Sequence, residues 1–121
     1  QAYRSSAAVG GSLALVGTRG RAVEAFEIST GERVWRQPLR GRVDASPVIV
    51  GVTTEADAAP SRQAAIVADA KGLIAVLDVA SGERVWEFDA GGGFSAGAAV
   101  AAGRLVIASD DGTIWCFKSA E

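Results

Sequence analysis

Histidine, asparagine and methionine are absent from this chain of 121 residues, and cysteine occurs once. Without histidine, the commonest metal ligand and the commonest general base are both missing. Without asparagine there is no acceptor for an N-linked glycan. Cys116 alone cannot close an internal disulfide, so cysteine usage leaves the redox compartment open. No apolar run approaches the roughly 18 residues of a membrane helix. The longest stretches, around 98–102 and 105–108, are interrupted by Gly103-Arg104. A basic face is also lacking: the net charge is −2 and Lys/Arg are scattered, which argues against a nucleic-acid partner. The chain opens on Gln1 with neither a charged nor an apolar leader region, and it reads as processed or cut out of something longer.

What is present is a globular composition, 49% hydrophobic and 21% charged, with length for one domain. Within it a segment returns almost unchanged. Glu27-Ile28-Ser29-Thr30-Gly31-Glu32-Arg33-Val34-Trp35 reappears as Asp78-Val79-Ala80-Ser81-Gly82-Glu83-Arg84-Val85-Trp86. A third, shorter copy, 107–118, parallels 67–78 and stops before its tryptophan. Self-similarity at a fixed period means that one supersecondary unit is being stacked. Trp35 and Trp86 stand 51 positions apart, Asp69 and Ser109 only 40. The excess lies in 51–63, where a short turn stands in the other copies; without it the period is about 40, inside the propeller range.

Each unit reads as short strands joined by glycine turns. The first gives strands over 6–9, 13–16, 22–28 and 33–37; the third gives 98–101, 105–108 and 113–118. Regular glycine turns between strands of about five residues favour an all-β meander. Leu73-Ile74-Ala75-Val76-Leu77 and Leu105-Val106-Ile107-Ala108 are apolar on both faces. A one-sided antiparallel sheet would alternate, whereas stacked four-stranded propeller blades are covered on both sides. The expected architecture is therefore one partial propeller domain over 1–121, with blade repeats at about 5–44, 45–94 and 95–121. Gly97, Ala75, Ala98 and Ala99 suit strands crowded near a central axis.

No constellation amounts to a catalytic site. Asp110-Asp111-Gly112-Thr113 lacks the ligand spacing of an EF-hand and reads as a hairpin turn, as do Asp69 and Asp78. Cys116 reads as a buried core thiol, and neither it nor Ser46, Ser81 or Ser95 has a histidine to activate it. Gly91-Gly92-Gly93 has no following helix or Lys-Ser/Thr and reads as a blade linker. The polar insertion is the most open position, with Thr53, Glu55, Asp57 and Arg62 as a candidate interaction loop, because long loops on rigid scaffolds carry binding.

The pattern Ala25-x-Glu27-x-x-Thr30-Gly31-Glu32-x-x-Trp35 and its partner Val76-x-Asp78-x-x-Ser81-Gly82-Glu83-x-x-Trp86 resemble the tryptophan-docking motif of PQQ-like β-propeller repeats. Quinoprotein alcohol dehydrogenases and BamB-type outer-membrane assembly lipoproteins share that repeat. Ala45-Ser46-Pro47-Val48 and Ser5-Ser6-Ala7-Ala8-Val9 resemble its first blade strand. The resemblance implies that each indole packs on the neighbouring blade, where truncation to alanine would cost about 3 kcal/mol or more. It also implies a C-terminal part of a ring whose last outer strand comes from elsewhere, and export from the cytoplasm to a periplasmic or other extracytoplasmic setting.

Two functional classes follow from the resemblance. The first is a non-enzymatic scaffold that presents loops to a protein partner, using no cofactor in this stretch. The alternative is a fragment of a quinoprotein dehydrogenase, whose PQQ and calcium would be held by blades beyond this stretch. Self-assembly of arcs into a homo-oligomeric ring is a third arrangement. The scaffold reading is preferred.

Overall fold

The computed structural model describes residues 7–18, 20–44, 46–52, 62–94, 97–101 and 104–118. Three antiparallel sheets follow one another along the chain. The first (blade 1) contains β1 (Ala8–Gly10), β2 (Leu13–Thr18), β3 (Ala22–Glu27) and β4 (Arg33–Pro38) in sequence order. Blade 2 repeats this with β5 (Val48–Val52), β6 (Arg62–Ala68), β7 (Leu73–Asp78) and β8 (Arg84–Asp89). Blade 3 has β9 (Ala99–Ala101), β10 (Arg104–Ala108) and β11 (Ile114–Lys118). The fold is all-β, built of propeller blades. No helix among the described residues is long and apolar enough to cross a membrane.

The two-sided apolar strands are explained by the stacking. In β7, Leu73, Ala75 and Leu77 face blade 1, where they meet Leu15, Val23 and Ala25. Ile74 and Val76 point the other way, into a second core with Ile66, Phe94, Ile107, Trp115 and Phe117. Each blade thus has a front turned toward its successor and a back turned toward its predecessor. Register locks this choice, since a one-residue slip would exchange the two faces. Both outer strands share one irregularity: the ladder shifts between Ala25 and Phe26, and again between Val76 and Leu77.

Linkers between blades use a repeating set of main-chain bonds. Leu39 N–H donates to Arg21 C=O and Val43 N–H to Thr18 C=O, both in blade 1. Arg42 C=O then accepts from Ala70 of blade 2. One blade later, Ala90 donates to Gly72, Phe94 to Asp69, and Gly93 accepts from Asp110. The side chains keep the pattern: Val43 fills one seam and Phe94 the next.

The structure differs from the sequence expectations at four places. Ala75 lies in the third strand of its blade, where its small size admits the neighbouring sheet, and not at the inner edge. Cys116 is exposed, because β11 turns Trp115 and Phe117 toward blade 2 and leaves Ile114 and Cys116 on the uncovered front. The insertion is shorter than 51–63, since Gly51 pairs with Gln63 and Val52 with Arg62 in the β5–β6 ladder. Arg62 is therefore a strand residue, while Thr53, Glu55 and Asp57 lie outside the described residues.

Candidate functional site

The repeated turns, β3–β4 and β7–β8, have one geometry. Asp78 C=O accepts from Gly82 N–H at 2.7 Å, and Asp78 N–H donates to Glu83 C=O at 2.8 Å. Glu27 makes the same pair with Gly31 and Glu32. Glycine is required because φ is +78° at Gly82 and +76° at Gly31. Side chains complete each turn: Ser81 Oγ donates to Asp78 Oδ2 and accepts from Glu83 N–H, and Thr30 Oγ1 accepts from Glu32 N–H.

Across the seam, Trp35 reaches the turn of blade 2 and not its own. Its Nε1 donates to Val79 C=O at 2.8 Å. The ring covers Gly82 so closely that a Cβ there would stand 2.4 Å from Cδ2. Gln37 Nε2 adds a bond to Gly82 C=O at 2.7 Å, and Arg84 returns one to Gln37 Oε1. The structure therefore brings together Trp35, Asp78, Ser81 and Gly82. It leaves Glu27, Thr30 and Gly31 apart from them, and no described atom lies within 4 Å of a Cβ placed on Gly31. Trp86 has no such turn to cover among the described residues. It is 41% exposed and stacks on Phe88 at 6.2 Å, with Phe117 edge-on at 5.3 Å.

Two carboxylates are buried: Asp69, which sequence read only as a turn residue, and Glu24, which it did not single out. Asp69 Oδ2 accepts from Arg40 and Gly41 N–H of the linker, while Oδ1 accepts from Lys71 and Leu73 N–H of its own turn. The signal was available: Thr18, Asp69 and Ser109 occupy one repeat position, each with a side-chain oxygen, and all three are buried. Glu24, 2% exposed, is flanked by Arg33 and Arg36, each at 3.4 Å, on the back of blade 1. The corresponding residues in the other blades are Ala75 and Trp115, so no repeat pattern announces it.

At the same end of the stack as Asp69, away from the β3–β4 and β7–β8 turns, Arg40 pairs with Asp89 at 3.0 Å across the seam. That hydrogen bond, aided by Gly91 N–H, holds the Asp89 carboxyl below its ordinary range and raises the guanidinium. Asp111 is lowered in the same direction, first by the Ser109 hydroxyl and then by Thr113 N–H. The Asp111 contacts fasten its own turn, as expected for Asp110-Asp111-Gly112 in a hairpin.

The profile of a family described as outer membrane protein assembly factor BamB matches residues 2–69 and 70–121. The chain belongs to this PQQ-like, BamB-type family of propeller repeats. A crystal structure of BamB from Moraxella catarrhalis superposes with a TM-score of 0.67 at 24% identity, covering 93% of this chain and 32% of that one. The chain thus spans about a third of the length of that propeller. The computationally designed proteins Ika4 and Ika8 match at 14% identity with TM-scores of 0.47 and 0.46. Each covers 98% of this chain, which corresponds to 92% of Ika4 and 46% of Ika8. No curated protein matches the sequence.

Proposed function

We propose that this chain works as part of a protein-binding scaffold that assists the assembly of other proteins, without chemistry of its own. The observation that carries the reading is membership, over nearly all its length, of a family described as an outer membrane protein assembly factor. The geometry agrees with that role. Trp35, Gln37 and Asp69 spend their polar groups on joining blades, which gives a rigid stack with its turns presented at the ends. In this reading Glu27, Thr30, Gly31 and Trp86 serve the same seam-forming motif at the blades' other contacts. Thr53, Glu55 and Asp57 extend the surface offered to a partner. The same membership supports a periplasmic site of action.

Mixing the intact protein with an unfolded outer-membrane β-barrel chain, freshly diluted from urea, tests the reading. A saturable complex on a sizing column is expected. A parallel sample is loaded with PQQ and calcium and assayed for alcohol-dependent dye reduction. Failure to bind the barrel chain would overturn the scaffold, and dye reduction would overturn it in favour of the dehydrogenase.

A further inference from the structure

The end of the stack that carries Asp69 is not electrically uniform. Linker residues 39–43 run there between the β2–β3 turn of blade 1 and the β6–β7 turn of blade 2, and residues 90–94 run likewise between blades 2 and 3. The shared main-chain bonds align the two seams residue by residue. Arg21, Arg40 and Arg42 at the first seam correspond to Gly72, Gly91 and Gly93 at the second. Lys71 lies over Gly41, where an added Cβ would stand 2.5 Å from its Cγ, and Asp111 lies over Gly92 in the same way. Four cations thus stand where the same backbone one blade later carries three glycines and an acid. The coupling of blades does not require them.

Arg21 makes the case most sharply. Its φ is +66°, in the left-handed region that blades 2 and 3 assign to Gly72 at +99° and Gly112 at +93°. Among the described residues no other non-glycine residue has a positive φ, and the conformation is unfavourable for an L side chain. A charge needed only for solubility could occupy an unstrained surface position. Strain accepted for a guanidinium points to a use at that place. Arg40 and Arg42 are already paired, with Asp89 at 3.0 Å and Asp44 at 2.8 Å. Arg21 and Lys71 are exposed, and their side chains make no ion pair or hydrogen bond among the described residues. Leu39 N–H donates to Arg21 C=O, and Lys71 rests on Gly41. Residues 39 and 41 are at most about 7 Å apart, so the two unpaired cations flank one short stretch of linker.

We propose that this positive rim of the first seam docks an extended polypeptide segment bearing two or more carboxylates. This rests on the scaffold reading and names the chemistry of its partner. One carboxylate lies against the Arg21 fork and another against the Lys71 ammonium, with Arg40 and Arg42 adding positive potential beside them. An extended segment need cover only the first seam, whereas an anionic bilayer would also meet the exposed Asp110 and Asp111 on the same end. Exposed pairs are weak singly, so binding needs several carboxylates and falls with salt.

The test is fluorescence anisotropy on the intact protein with a labelled Gly-Glu-Ser-Glu-Ser-Glu-Gly peptide, and with a control in which glutamine replaces each glutamate. Saturable, salt-sensitive binding of the first peptide is expected, with the control much weaker. Arg21→Gly should weaken binding about threefold, while the melting temperature holds or rises because glycine suits the left-handed φ. Adding Lys71→Gln should bring the loss to about tenfold. Arg104 pairs with Lys118 at the end of the β10–β11 ladder away from the 109–112 turn, so Arg104→Gln removes the same charge elsewhere and should leave binding unchanged. Equal binding of the glutamine control, unchanged affinity in the double variant, or an equal loss in Arg104→Gln overturns the docking surface. Binding of phosphatidylglycerol vesicles in place of the peptide overturns it in favour of a lipid surface. If the intact protein binds the unfolded barrel chain but not the peptide, only this surface falls. If it binds neither, the scaffold reading falls with it.

Discussion

Gly31 and Gly82 hold nearly the same left-handed φ in the same turn, yet only Gly82 lies beneath an indole. Alanine at Gly31 should cost about 1 kcal/mol, the backbone term alone. At Gly82 the added methyl also meets the Trp35 ring, and a loss of about 3 kcal/mol is expected in urea unfolding. Equal losses would mean that the indole does not rest there. The tryptophans separate in a second way. Trp35→Phe leaves the Val79 carbonyl without its donor and should cost about 1–2 kcal/mol. Trp115 Nε1 is buried with no partner among the described residues, so Trp115→Phe should cost distinctly less. Sequence could not rank these rings. The nonapeptides around Trp35 and Trp86 are nearly identical, and what differs, among the described residues, is whether a turn of a following blade lies within reach. Cys116 escaped for the same reason: alternation along β11 fixes its face but does not say what covers that face.

At the scale of strands and linkers, the turns and ladders were legible because glycines punctuate apolar runs at a steady interval. The linkers were not. Asp69 looks in sequence like any turn aspartate, and only the fold brings Arg40 and Gly41 to its second oxygen. Asp69→Ala leaves four N–H groups short of an acceptor, and a loss of about 3 kcal/mol or more is expected by chemical denaturation. Acid should act on the same end of the stack. Asp89 and Asp111 have folded-state pKa values below their unfolded ones. Their contribution is therefore complete above the unfolded value, about 3.9, and is lost as pH falls through the folded value. Thermal melts between about pH 5 and 2 should show Tm falling on the acid side. The double variant Asp89→Asn, Asp111→Asn should flatten that fall. A wild-type slope in the double variant would assign the acid sensitivity to other carboxylates. Both groups are exposed, so the effect is modest and weaker in salt.

At the scale of the three blades, the two seams are closed, while among the described residues nothing covers the front of blade 3. Ile114 is 72% exposed, and Val106 and Cys116 share its face. The corresponding residues one blade earlier, Ile66, Ile74 and Val76, are packed into a core. Cys116 in the 121-residue chain should accordingly react with a maleimide at nearly the rate of a free thiol, and Ile114→Lys should reduce self-association seen by light scattering. Slow labelling within a discrete oligomer would show that copies of the chain cover this face themselves. The back of blade 1 is unlike it, with Glu24 held between Arg33 and Arg36 where the other blades place Ala75 and Trp115. The two ends of the arc are thus chemically distinct, although the repeat that generates them is nearly uniform.

The linker bonds bear on how such a chain can grow. Each linker binds the blade behind it through two main-chain donors and the blade ahead through one main-chain acceptor, in the same positions at both seams. A stretch of coding sequence running from one linker to the next therefore carries a full set of couplings. Copied in tandem, it would splice into the series with every partner already supplied, so gene duplication can lengthen the array without inventing a new contact.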